Sequence, residues 1–177
     1  MRIGLVGTAL DPLQRAGPAP ELAALFPDAS LHAFPSRVPA FPHSPLEQAI
    51  QALGHAEAAL GATEQGCDAL VIDSVGDYGL AAMRAMLPIP VIGSGEAGLA
   101  EAAVGGRSFG IVTVWPQSMN FILYERLQVC GVLGLCAGIV STGSDADTDS
   151  LAGPDGYLAH AVSYTHLRAH ETPEQLV

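Results

Sequence analysis

The stretch from Gly66 to Ala97 limits the fold most tightly. Within it the apolar run Ala69-Leu70-Val71-Ile72 ends in a polar turn, Asp73-Ser74-Val75-Gly76-Asp77, and a helix-like segment follows. Pro90-Val91-Ile92 then runs into Gly93-Ser94-Gly95-Glu96. Short apolar runs bounded by turn residues read as buried strands. Two of them separated by a helix imply parallel β-α-β units. Ligands of open α/β sheets bind just outside the carboxyl ends of the strands. The turn 73–77 is therefore where a small molecule is expected.

The rest of the chain fits this alternation. Arg2–Gly7 reads as a first strand, Glu21–Phe26 as a short helix and Leu31–Phe34 as a second strand, with a proline-bearing loop over 11–20. Ser44-Pro45-Leu46-Glu47 is a helix start: Ser44 caps, Pro45 takes the first helical position and Glu47 completes a capping box. Leu46, Ile50, Leu53, Ala56 and Leu60 follow at helical spacing and predict one apolar stripe, which Gly66 ends. Asp68–Asp73 is a third strand, and Tyr78–Leu87 a helix that Asp77 is placed to cap. Pro88 and Pro90 force extended backbone before a fourth strand, Val91–Gly93. A helix over Glu96–Val104, a strand over Phe109–Val114, a helix over Gln117–Val129 and a strand over Ala137–Ser141 follow, then a polar loop at 142–150.

Composition excludes several classes. Hydrophobic residues make up 49% and charged residues 14%, which describes a well-buried globular protein. The net charge of −11 opposes nucleic-acid binding, and no Lys/Arg run suggests a membrane surface. No segment has the length of a membrane span. Three scattered cysteines form no disulfide framework, so a cytoplasmic location is expected.

These motifs resemble the Asp/Glu/hydantoin racemase family, nearest its hydantoin racemase branch. The resemblance rests on Ser74-Val75-Gly76-Asp77-Tyr78-Gly79-Leu80, on Ile89-Pro90-Val91-Ile92-Gly93-Ser94-Gly95-Glu96-Ala97, and on the segment from Gly106 to Pro116. It implies a parallel α/β fold with helices on both faces, in two similar lobes with the active site between them. A first lobe would cover 1–97 and a partial second lobe 98–160. It also implies cofactor-free chemistry on a small amino acid or hydantoin-like substrate, with a thiol on each side of the Cα.

A thiol suits that task because its pKa, about 8.5, falls further near cations or a helix N-terminus. This chain carries Ser74 where the first family thiol stands, and a hydroxyl does not ionise near neutral pH without an adjacent base. No second thiol motif is present: Gly134-Leu135-Cys136-Ala137-Gly138 opens a strand instead of ending one. Two further readings stay open, a one-thiol branch resembling arylmalonate decarboxylases and a non-catalytic binding lobe.

The tail carries its own signal. Val162 to Thr172, eleven residues, back-translate codon by codon into a transposon-type sequencing adapter. Residues 161–177 are accordingly read as a non-native tail to be kept out of fold reasoning. A chain that stops inside a lobe leaves apolar faces uncovered, so self-association is expected, as a homo-oligomer or worse.

The candidate site follows. Ser74 is expected at the cleft as a hydrogen-bond donor. Val75 and Gly76, read as a helix N-terminus, offer backbone N–H groups to a carboxylate. The resemblance adds Thr113 and Thr8 as substrate contacts. Asp73 points away from the Ser74 side by strand alternation. Glu96 either caps its own helix or lines the cleft. Gly93-x-Gly95-x-x-Gly98 matches a dinucleotide fingerprint, but Glu96 would sit beside the pyrophosphate and no acid ends the next strand. No cofactor and no metal are expected; His32, His43 and His55 are scattered and read as surface residues, and the cysteines as small core residues.

Overall fold

A computed structural model describes residues 1–7, 20–38 and 42–143. Thr8, the loop over 11–19, the remainder of the 142–150 loop and the tail 161–177 lie outside the described residues. The elements run β1 (Arg2–Gly7), α1 (Pro20–Leu25), β2 (Ser30–Pro35), α2 (Pro45–Glu64), β3 (Ala69–Ile72), α3 (Leu80–Met86), β4 (Val91–Gly93), α4 (Ser94–Ala102), β5 (Phe109–Pro116), α5 (Asn120–Val129) and β6 (Cys136–Gly143). Short 3-10 turns at Val104–Gly106, Gln117–Met119 and Leu133–Leu135 connect the later ones.

Four strands form one parallel sheet in the order β2-β1-β3-β4, and β5 and β6 form a second parallel pair. In the larger sheet Ile3 lies opposite Ala69, and Leu70 opposite Val91. The carboxyl ends of β1, β3 and β4 therefore share one edge, as the alternation of strands and helices requires.

The core beside the large sheet joins Val6, Leu70, Ile72 and Val91 to Ala59 and Ala62 of α2 and to Leu80, Met83 and Leu87. Leu70, Ile72 and Met83 are wholly buried; each contributes roughly 1.5–3 kcal/mol. A second cluster forms at the junction with the smaller sheet: Tyr78, Val114, Trp115, Met119, Ile122 and Leu123.

Helix α2 starts as its sequence dictates. Ser44 Oγ accepts from the Glu47 N–H at 3.3 Å, and Glu47 Oε2 takes the Ser44 hydroxyl and the His43 N–H, both at 2.9 Å. The expected apolar stripe, however, faces outward. Leu46 and Leu53 are 70% and 72% exposed, with Ile50 and Leu60 also exposed. The buried face is Gln51, Gly54, His55, Ala59 and Ala62. Small side chains let the helix axis approach the sheet closely, and Gly54 meets Ser36 and Val38 where the larger leucines would not fit. His55 is thus wholly buried, correcting its assignment to the surface.

Three other local expectations are corrected. Helix α3 begins at Leu80, not Tyr78, because Gly79 stands before it in the left-handed region (φ 77). Helix α4 begins at Ser94, two residues earlier than read, because its first turn is capped from another segment. Cys67 is buried, but Cys130 and Cys136 are only partly so.

Candidate active site at the strand ends

The turn after β3 is closed by its own backbone, with the Asp77 N–H donating to the Ser74 carbonyl at 3.0 Å. Ser74 is half-buried and Asp73 and Val75 exposed, whereas Gly76, Asp77 and Tyr78 are buried. The turn thus presents its first half to solvent and anchors its second half inside. Val75 and Gly76 do not open a helix, since α3 starts only at Leu80. They belong to the turn itself.

Asp77 is the anchor. It adopts φ 47, the only non-glycine residue with positive φ among the described residues. Its side chain caps α4, not the helix of its own segment. Oδ1 accepts from the Gly95 N–H at 2.9 Å and Oδ2 from the Glu96 N–H at 2.7 Å. A side chain on Gly95 would collide with the Val75 carbonyl, so the two turns touch at backbone level. Burial pushes the Asp77 carboxyl above its usual pKa; the Glu96 and Gly95 N–H groups and Arg126 offset part of that.

This capping explains the glycine fingerprint. The N–H groups that a pyrophosphate would use at 95 and 96 already hold a carboxylate. The Glu96 side chain does not cap its own helix but pairs with Arg84 at 2.8 Å, and Arg84 Nε also donates to the Val91 carbonyl at 2.9 Å. Asp77 fastens α4 to the turn after β3, and Arg84 fastens β4 and α4 to α3.

Tyr78 connects this edge to the second sheet. Its ring packs in one cluster with Val114 and Trp115 of β5. A Cβ on Gly76 would fall inside the ring, so only glycine fits there. On the other side His55 meets the ring edge-on, with centroids 5.5 Å apart at 66°. Burial lowers the His55 pKa to about 4; the Tyr78 backbone offsets part of the fall, although Nδ1 is outside hydrogen-bond geometry. The ring is therefore neutral at pH 7. Its Nε2 lies 3.2 Å from the Gln51 amide nitrogen.

Thr113 lies beside the residues that Tyr78 touches. Its Oγ1 accepts from the Trp115 N–H at 3.1 Å, which leaves the hydroxyl proton for another acceptor. Its carbonyl takes the Thr142 hydroxyl at 3.2 Å, next to a shift in the β5–β6 register. Through Tyr78, Val114 and Trp115 the structure brings the turn after β3 against the C-terminal half of β5; Thr113, expected at the strand end, lies three residues before it, because β5 continues to Pro116. Asp77 and Tyr78, which hold that junction, were legible only as a cap and a motif letter.

The chemistry available here is hydrogen bonding more than proton abstraction. Asp77 is occupied by two N–H groups, His55 lies under Tyr78, and burial drives the Tyr78 phenol well above its ordinary pKa. The Cys130 thiol is pushed upward by burial and by Glu96, away from the thiolate a base requires. Among the described residues no group of His, Cys, Asp and Glu could hold a metal ion, and no helix is long and apolar enough to cross a membrane.

A parallel α/β protein with polar turns converging at its strand ends is what these observations define. A family model described as Asp/Glu/Hydantoin racemase matches residues 21–162, and the chain belongs to that family. Among solved structures, allantoin racemase from Klebsiella pneumoniae is similar at 27% identity and TM-score 0.74, covering 96% of this chain and 69% of that one. Allantoin racemase from Pseudomonas fluorescens matches at 20% identity and TM-score 0.63, over 97% of this chain and 72% of that one. A doubly substituted, liganded arylmalonate decarboxylase matches at 19% identity and TM-score 0.61, over 81% of this chain and 62% of that one. The latter two likenesses concern the fold alone. No curated protein matches the sequence.

Proposed function

We propose that this chain carries the substrate cleft of a cofactor-independent enzyme acting at an acidic Cα–H, with a small amino acid or a hydantoin-like ring as substrate. The observation that carries the reading is the junction of the half-buried Ser74 turn with the C-terminal half of β5, which bears Thr113, built by Tyr78 against Val114 and Trp115. The likeness to an allantoin racemase at 27% identity supports a cyclic ureide as the ligand class. Ser74, Thr113 and the backbone of Val75 and Gly76 line the cleft and bind carbonyl or carboxylate oxygens. Thr8 is proposed as a further contact.

As a racemase the chain is inactive. Two-base racemisation removes the proton on one face and returns it on the other, and a serine hydroxyl at position 74 is a far weaker base than the thiolate that task calls for. Calorimetric titration with allantoin, paired with polarimetry, tests this: binding without protein-dependent loss of optical rotation is expected. Absence of binding would refute the cleft, and loss of rotation would refute the inactivity.

The serine at this position favours a second reading, a one-thiol decarboxylase or one-sided isomerase. Carbon dioxide release from an arylmalonate by the chain would select it. Binding with no turnover of either compound would leave a non-catalytic binding lobe. The acidic chain, −11 in net charge, fits neither a nucleic-acid nor an anionic-membrane partner.

A further inference from the structure

The Tyr78 hydroxyl is a buried polar atom for which the site as described has no use. The residue is 3% exposed, and among the described residues its oxygen has no partner in hydrogen-bonding geometry. An unpaired polar atom in a protein interior is costly and rare enough to require a reason. Phenylalanine would fill the same space without that cost.

The surroundings fix where the hydroxyl lies. The ring covers the Cα of Gly76, with His55 at its edge and the Val114–Trp115 cluster packed against it. It cannot swing away. A Cβ on Gly76 would lie 2.8 Å from the phenol oxygen, which therefore overhangs the turn headed by Ser74, four residues earlier and half-buried. Rotation about Cα–Cβ carries the Ser74 hydroxyl between its staggered wells at the head of that turn.

We propose that Tyr78 is a positioning residue for Ser74: its phenol donates to Ser74 Oγ and so turns the serine proton toward a carbonyl or carboxylate oxygen of the ligand. This rests on the cleft described above. A phenol is a stronger donor than an aliphatic alcohol, so the direction of the bond is set. An accepting hydroxyl becomes a better donor in turn, because linked hydrogen bonds polarise one another. The pair therefore makes Ser74 a fixed donor, suited to oxygen and hostile to an ammonium group.

The test uses the full chain labelled with tyrosine carrying carbon-13 at Cζ, together with Ser74→Ala, Tyr78→Phe and the double variant. The Tyr78 signal, assigned by its loss in Tyr78→Phe, should move in Ser74→Ala while the other tyrosines keep their positions. Tyr78→Phe should weaken allantoin binding about 3- to 10-fold. The double variant should bind no more weakly than Ser74→Ala alone. An unmoved Tyr78 signal would overturn the proposal, as would additive losses in the double variant. A moved signal with no allantoin binding by the unaltered chain would uphold the Tyr78–Ser74 pair and overturn the substrate reading.

Discussion

The carboxylate of Asp77 caps the helix that begins at Ser94, reaching the Glu96 N–H at 2.7 Å and the Gly95 N–H at 2.9 Å. One side chain thereby joins the turns after β3 and β4 into a single rim. Removing it strands two donors at the start of α4. Asp77→Ala should destabilise the protein by about 2–3 kcal/mol and Asp77→Asn by roughly half of that, since the amide keeps one acceptor. Urea unfolding at pH 7 measures both; a loss below about 0.5 kcal/mol for the alanine variant would refute the capping role.

Two buried groups give the stability opposite slopes against pH. The His55 pKa is lowered to about 4, against 6.5 when unfolded. Between those values the unfolded chain binds the extra proton, so the contribution of a neutral His55 is complete above 6.5 and is lost as pH falls toward 4. The loss amounts to about 3 kcal/mol at most. Asp77 has a raised pKa, so the native state holds its proton longer. Its contribution is complete below the unfolded value of 3.8 and is lost as pH rises through the folded pKa. Unfolding of His55→Phe across pH 4–7 should show a flatter profile than the parent. Asp77→Asn should lose the opposite component and steepen it. An unchanged slope in His55→Phe would contradict the assignment.

Helix α2 turns its leucines outward, and apolar surface of this kind drives association. Leu53, 72% exposed, is the plainest member. Leu53→Glu should reduce the mass observed by light scattering on a sizing column and change the unfolding free energy by less than about 0.5 kcal/mol. A monodisperse monomer before the substitution would contradict this.

The strand pattern was legible because buried strands read as apolar runs in any context. β1 and β4 fall on their expected residues, and the fold follows from their alternation with helices. The inward face of α2 was not legible, because periodicity marks an apolar stripe without saying which stripe the sheet admits. Ala59 and Ala62 won that contest by size, through the packing of a helix on a sheet. Asp77 was read as a cap, which it is, but a cap on a helix seventeen residues further on (94 against 77) cannot be told from one on its own. Ser74 and Thr113 were placed by family likeness, whereas Tyr78, which joins their surroundings, follows from tertiary packing alone.

Restoring sulfur at the first position separates the two halves of the reaction. Ser74→Cys supplies one base on one face. It should raise deuterium uptake at the allantoin Cα in heavy water while configuration is retained, because a single base returns the proton to the face it left. Uptake is followed by mass spectrometry and configuration by chiral chromatography. Inversion by this single variant would mean that a second base is already present.

The account stands most directly on the optical rotation of enantiopure allantoin held with the unaltered chain at neutral pH. It predicts that rotation decays no faster than in a protein-free control, since Ser74 provides a donor and no base. A decay that scales with protein concentration would contradict it.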